Sequence, residues 1–94
     1  MGKRLSDLTV EEALNIVSKG CAVLYFKRLE SGRIESYASY EDSVWYYLTY
    51  GGFTLHYGSK EISVTRKTIT LFKHIYLCQN DEVDNTFHEL NKKN

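Results

Sequence analysis

Residues Ser39-Tyr40-Glu41-Asp42-Ser43-Val44-Trp45-Tyr46-Tyr47-Leu48-Thr49-Tyr50-Gly51-Gly52 admit two readings, and the choice between them decides the fold. As a helix, Ser39 is the N-cap, Glu41 and Asp42 complement the dipole of the first turn, and Val44, Trp45 and Leu48 form an apolar stripe that Gly51 ends. As a strand, the same stretch is rich in Trp, Tyr and Thr, which suit a pleated sheet. The cap and the Gly-Gly stop favour the helix. Either way the region is aromatic. Tyr37 to Tyr57 holds eight of the chain's thirteen aromatic residues, more rings than so small a core can take in with their hydroxyls.

Downstream, Phe53–Tyr57 reads as a strand, Gly58-Ser59 as a tight turn and Glu61–Thr65 as the returning strand. Glycine at the first central position suits a type II′ turn. Upstream, Thr9 followed by Glu12 is a capping box, and Val10, Ala13, Leu14 and Val17 fall at helical spacing. Lys19 and Gly20 mark the helix end. Cys21–Leu29 then reads as an interior strand, apolar on both faces. Glu30–Arg33 is a turn, and Ile34–Ala38 completes a hairpin. Lys67–Cys78 fits a helix face or an alternating strand, and its β-branched content favours a strand continuing the second hairpin. Asp81 is expected to cap a short terminal helix over Glu82–Leu90.

The expected fold is therefore α+β. It has an N-terminal helix, an antiparallel sheet of four to five strands from two hairpins, a middle helix and a short C-terminal helix. Ninety-four residues form one domain, with 1–6 and 91–94 expected to be mobile. Twelve basic and twelve acidic residues give zero formal charge, against the basic excess usual in nucleic-acid domains. Neither a signal peptide nor a membrane span is evident, so a cytoplasmic protein is expected. Cys21 and Cys78 sit in apolar runs and read as reduced, buried thiols.

A catalytic set does not emerge. His56, His74 and His88 form no metal-binding pair, so no metal or cofactor is expected. His74 and Cys78, four apart, would share a face on a helix as a possible metal half-site; on a strand they also return to one face, but too far apart to act together. The carboxylate pairs Glu11/Glu12, Glu41/Asp42 and Asp81/Glu82 stand where helix starts are expected, and capping explains them. Non-catalytic binding is the expected function. Trp45, Tyr46, Tyr47 and Tyr50 are the candidate anchors, with Glu41 and Asp42 as rim charges facing a basic partner protein. The bland alternative makes Trp45 and half the tyrosines core. A second reading is nucleic-acid or nucleotide binding through Arg28, Arg33, Arg66 and Lys67, with Tyr25, Tyr37 and Tyr57 as stacking rings beside Lys27. A third is a homodimeric structural protein.

The opening Leu8-Thr9-Val10-Glu11-Glu12-Ala13-Leu14, followed by Lys19-Gly20 and a strand, resembles the start of many small phage and mobile-element proteins. These include host-takeover and anti-defence proteins such as anti-CRISPRs. The similarity covers about the first quarter of the chain. It implies a stoichiometric inhibitor in the host cytoplasm that occludes a site on a host protein.

Overall fold

The computed structural model describes residues 2–28, 31 and 34–92, with positions 28 and 34–37 described by their backbone alone. Helix α1 (Val10–Ser18) starts as its sequence dictates. Thr9 Oγ1 accepts the Glu12 N–H at 3.0 Å, and Glu12 Oε1 accepts the Thr9 N–H at 2.9 Å. Two orphan donors of the first turn are thereby satisfied. Val10, Ala13 and Val17 face inward and are buried.

The first sheet is antiparallel, in the order β1 (Lys3–Arg4), β7 (Ile75–Cys78), β2 (Ala22–Arg28), β3 (Ile34–Tyr40). Strand β2 is apolar on both faces because both are covered. Val23 enters the main core with α1, while Ala22, Leu24 and Phe26 pack with Tyr76 and Cys78 against Val83 and Leu90 of α2 (Val83–Lys92). Strand β7 is buried at all four residues for the same reason.

The second sheet is a meander of β4 (Val44–Thr49), β5 (Gly52–Tyr57) and β6 (Lys60–Thr65). Its inner face supplies Phe53, Leu55, Tyr57 and Val64 to the main core. There they meet Leu5, Val10, Ala13, Val17 and Val23. Helix α1 touches β4 and β5 on one side and β7 on the other, so it lies between the sheets. The α+β architecture is thus as read from the sequence, but with seven strands in two sheets among the described residues.

The expected middle helix is a strand. Residues 44–49 pair with β5 from Val44↔Tyr57 to Thr49↔Gly52. Gly51, with φ of 84°, closes the two-residue turn between them rather than ending a helix. Glycine in a positive-φ conformation serves both devices, and that is why the signal misleads. Ser39 lies within β3, and Glu41 and Asp42 occupy a bend. Gly58, with φ of 61°, opens the β5–β6 turn as expected, and a side chain there would also strike the Tyr40 ring.

Of the segment expected to be mobile at 1–6, residues 2–6 are described and pack on the fold: Lys3–Arg4 pairs with β7, the Gly2 N–H donates to Thr86 Oγ1 at 2.9 Å, and Leu5 is fully buried. A side chain on Gly2 would collide with Cys78 Sγ. Two smaller expectations are corrected. Residues 67–78 do not extend the second hairpin. Thr68 folds back, its Oγ1 accepting the Thr65 N–H at 2.8 Å, and a 3-10 turn at Ile69–Leu71 carries the chain to β7 in the other sheet. Asp81 is not a cap: it lies inside a 3-10 turn whose N-cap is Gln79. The Gln79 N–H donates to Glu82 Oε1 at 3.0 Å across a 3-10 turn at Asn80–Glu82 that leads into α2. Asn91 and Lys92 belong to α2, and residues 93–94 of the expected tail lie outside the described residues.

Candidate functional site

Alternation along β4 sends Val44, Tyr46 and Leu48 to the inner side of the second sheet and Trp45, Tyr47 and Thr49 to the outer side. Register completes the outer face in three rows: Trp45–His56–Glu61, Tyr47–Thr54–Ser63 and Thr49–Gly52–Thr65. Helix α1 and the first sheet occupy the inner side, and α2 lies beyond the first sheet. The outer face is left open. Trp45 is 53% exposed and Tyr47 46%.

The rings on this face hold one another in place. The Trp45 indole stacks flat on the His56 imidazole, with centroids 3.6 Å apart and planes within 4°. Tyr47 leans on both, 6.0 Å from Trp45 and 5.5 Å from His56. His56 Nε2 lies 3.5 Å from Glu61 Oε2, within ion-pair reach but without hydrogen-bond alignment. Cross-strand aromatic pairs of this kind stabilise a sheet and fix ring orientation. The result is a preorganised apolar surface bordered by one carboxylate and by Thr and Ser hydroxyls. No Lys or Arg stands in the three rows. Lys60 has inner-side parity, and its ammonium sits 5.6 Å from the Tyr25 ring centroid.

Of the six candidate anchors and rim charges, Trp45 and Tyr47 share this face. Tyr46 does not: it is half-buried on the inner side, edge-on to Phe53 at 6.4 Å. Tyr50 is fully exposed in the β4–β5 turn, where it lines a groove with Val10, Leu14, Arg66 and Lys67. Glu41 and Asp42 are exposed at the opposite end of β4. His56 and Glu61 were missed as site residues, because a helix at 44–50 hides the register that brings them beside Trp45. Strand alternation across the Gly51 and Gly58 turns is the signal that finds them.

Of the basic set, only Arg66 and Lys67 have described side chains, and both line the groove beside Tyr50. Arg66 lies beyond β6 with its guanidinium 3.6 Å from Glu11, both exposed, and Lys67 follows it. Arg28 is described by backbone alone, and Arg33 lies outside the described residues, as does most of the turn Glu30–Arg33. Of the rings considered for base stacking, Tyr57 is buried, Tyr25 is half-buried beneath Lys60, and Tyr37 is described by backbone alone.

His74 and Cys78 bracket β7, roughly 13 Å apart along an extended strand. His74 stands edge-on to Phe26 at 5.7 Å, and Cys78 Sγ lies 3.7 Å from Thr86 Oγ1. Both cysteines are buried free thiols. Burial pushes the Cys21 thiol from its ordinary 9.0 to about 11, and burial also raises that of Cys78. Neither is therefore a thiolate nucleophile near neutral pH. Among the described residues no helix is long and apolar enough to cross a membrane.

No protein-family model matches the chain, and neither a curated protein nor a solved structure matches it.

Proposed function

We propose that this chain is a non-enzymatic protein-binding module that engages its partner through the open face of the second sheet. The observation that carries this reading is the Trp45–His56–Tyr47 cluster, preorganised by stacking on a largely buried His56 while Trp45 and Tyr47 stay about half exposed. Rings fixed in this way lose little entropy on binding and bury much area, as binding hot spots require. Glu61 beside them, without a cation in the rows, suits a partner that presents Arg or apolar side chains. The same absence of cations argues against tracking a phosphate backbone along this face. In the inhibitor reading suggested by the opening helix, such a face would occlude a site on a host protein in stoichiometric fashion.

The test is affinity capture from host lysate using the wild-type chain and a Trp45→Thr/Tyr47→Thr variant. Threonine keeps the β propensity of the strand while removing the rings. A protein captured by the wild type and lost with the variant supports the proposal. Equal capture by both would refute it.

A further inference from the structure

Among the described residues β4 is an edge strand, bonded to β5 on one side only. The two-residue turn at Tyr50–Gly51 makes Thr49↔Gly52 a hydrogen-bonded pair. Residues 45, 47 and 49 therefore bond to β5, and the backbone N–H and C=O groups of Val44, Tyr46 and Leu48 point out from the sheet edge. Natural edges are blunted by charge, proline, bulges or brevity. The other edges of this fold follow that rule. β6 opens with Lys60-Glu61, β1 has two residues, and β3 is bulged at Glu35, the residue left unpaired where the register shifts between Lys27 and Arg28. β4 reads Val-Trp-Tyr-Tyr-Leu-Thr, with no charge, no proline and Leu48 68% exposed.

We propose that β4 pairs antiparallel with β4 of a second copy of this chain about a two-fold axis at Tyr46, joining two three-stranded sheets into one of six. The register is self-complementary. Tyr46 opposes the second copy's Tyr46 and Val44 opposes its Leu48, so all three outward residues of each copy find partners. Trp45 falls opposite the second copy's Tyr47 on the shared outer face, in the closer non-hydrogen-bonded type of pair.

Charge favours the same occupant. Continuing the register sets Asp42 opposite the second copy's Tyr50, and Glu41 opposite its Gly51. That turn shares its groove with Lys67 and with Arg66, whose guanidinium is paired with Glu11. The acidic end of each β4 thus meets the end of its mate that carries Lys67 and this ion pair, a net positive charge, at both ends of the interface. The zero net charge of the chain leaves no overall repulsion to oppose association. The pairing also sets two aromatic clusters side by side, but it depends on the edge and not on which partner those rings engage.

The experiment is sedimentation equilibrium from about 1 µM to about 500 µM, the range that edge pairing of modest area should span. It is run with hydrogen exchange at the two ends of that range. The expected result is a mass rising from 10.9 kDa toward twice that value, with protection of the Val44, Tyr46 and Leu48 amides growing with concentration. Leu48→Pro removes one outward N–H and no bond to β5, and Leu48→Lys adds a charge to the edge. Each variant, if folded by circular dichroism, should weaken self-association by about tenfold or more. A wild-type chain monomeric throughout would overturn the proposal, as would association unchanged in whichever variant folds. So would association without concentration-dependent protection at those three amides.

Discussion

Trp45 and His56, on neighbouring strands and directly opposed in register, stack with ring centroids 3.6 Å apart while Trp45 stays 53% exposed. One face of the indole is fixed by the imidazole and the other is open to solvent. Trp45 is the chain's only tryptophan, so its emission reports this surface alone. Acrylamide should quench it readily in the free protein, and added partner should suppress that quenching. Quenching unchanged at saturating partner would place the interface elsewhere.

Tyr46 and Tyr47 are adjacent in sequence and opposite in role. Tyr46 packs against Phe53 on the core side, and Tyr47 rests on the open face. Tyr46→Ala should cost about 2 kcal/mol, less than the loss of a fully buried ring because Tyr46 is half-exposed. Tyr47→Ala should cost under about 1 kcal/mol and act on binding instead. Urea unfolding of the two single variants separates them. Equal losses of stability would show that Tyr47 is also core.

The helix caps make a local prediction. Thr9→Ala removes the acceptor of the Glu12 N–H and should cost about 1 kcal/mol. In a domain of this size that is a fall of roughly 4–8 °C in Tm. Thr9→Ser should largely restore it, because the hydroxyl is what caps. A thermal melt of the two variants checks both.

Much of the fold was legible because local signals agreed with tertiary need. The Thr9/Glu12 box, the doubly apolar run at 22–28 and the Gly58 turn each have one physical reading, and each stands in the structure. The middle segment failed because its signals were shared. Gly51 at positive φ ends a helix or closes a hairpin, and acidic residues open a helix or sit in a bend. The pairing partner β5 decided it, and pairing is not a local property. Strand β1 was hidden for a similar reason: Lys3 and Arg4 look like a solvated end, and only β7, more than seventy residues away, gives them a ladder. The site inherited the error, since Trp45 and Tyr47 were named while His56 and Glu61 depend on register.

The buried thiols predict a pH dependence. Cys21 and Cys78 hold their protons to higher pH when folded than when unfolded. Above the ordinary thiol value of 9.0 the unfolded chain ionises first and binds fewer protons, so stability falls as pH rises. The contribution of both is complete below that value; that of Cys21 is lost as pH climbs toward about 11, and that of Cys78 also declines as pH rises above the ordinary value. Urea midpoints should therefore decline over this window in the wild type. Cys21→Ala and Cys78→Ala should each flatten the decline while lowering the midpoint at neutral pH. A slope unchanged in both variants would contradict the assignment.

The most direct measurement for the binding face is capture from host lysate with the wild-type chain and the Trp45→Thr/Tyr47→Thr variant, each at low and high salt and with and without nuclease. The expected result is a protein retained by the wild type under every condition and absent from the variant, while circular dichroism shows both chains folded. Retention of the same protein by the folded variant would contradict the binding role of this face. So would recovery only of nucleic acid, lost at high salt.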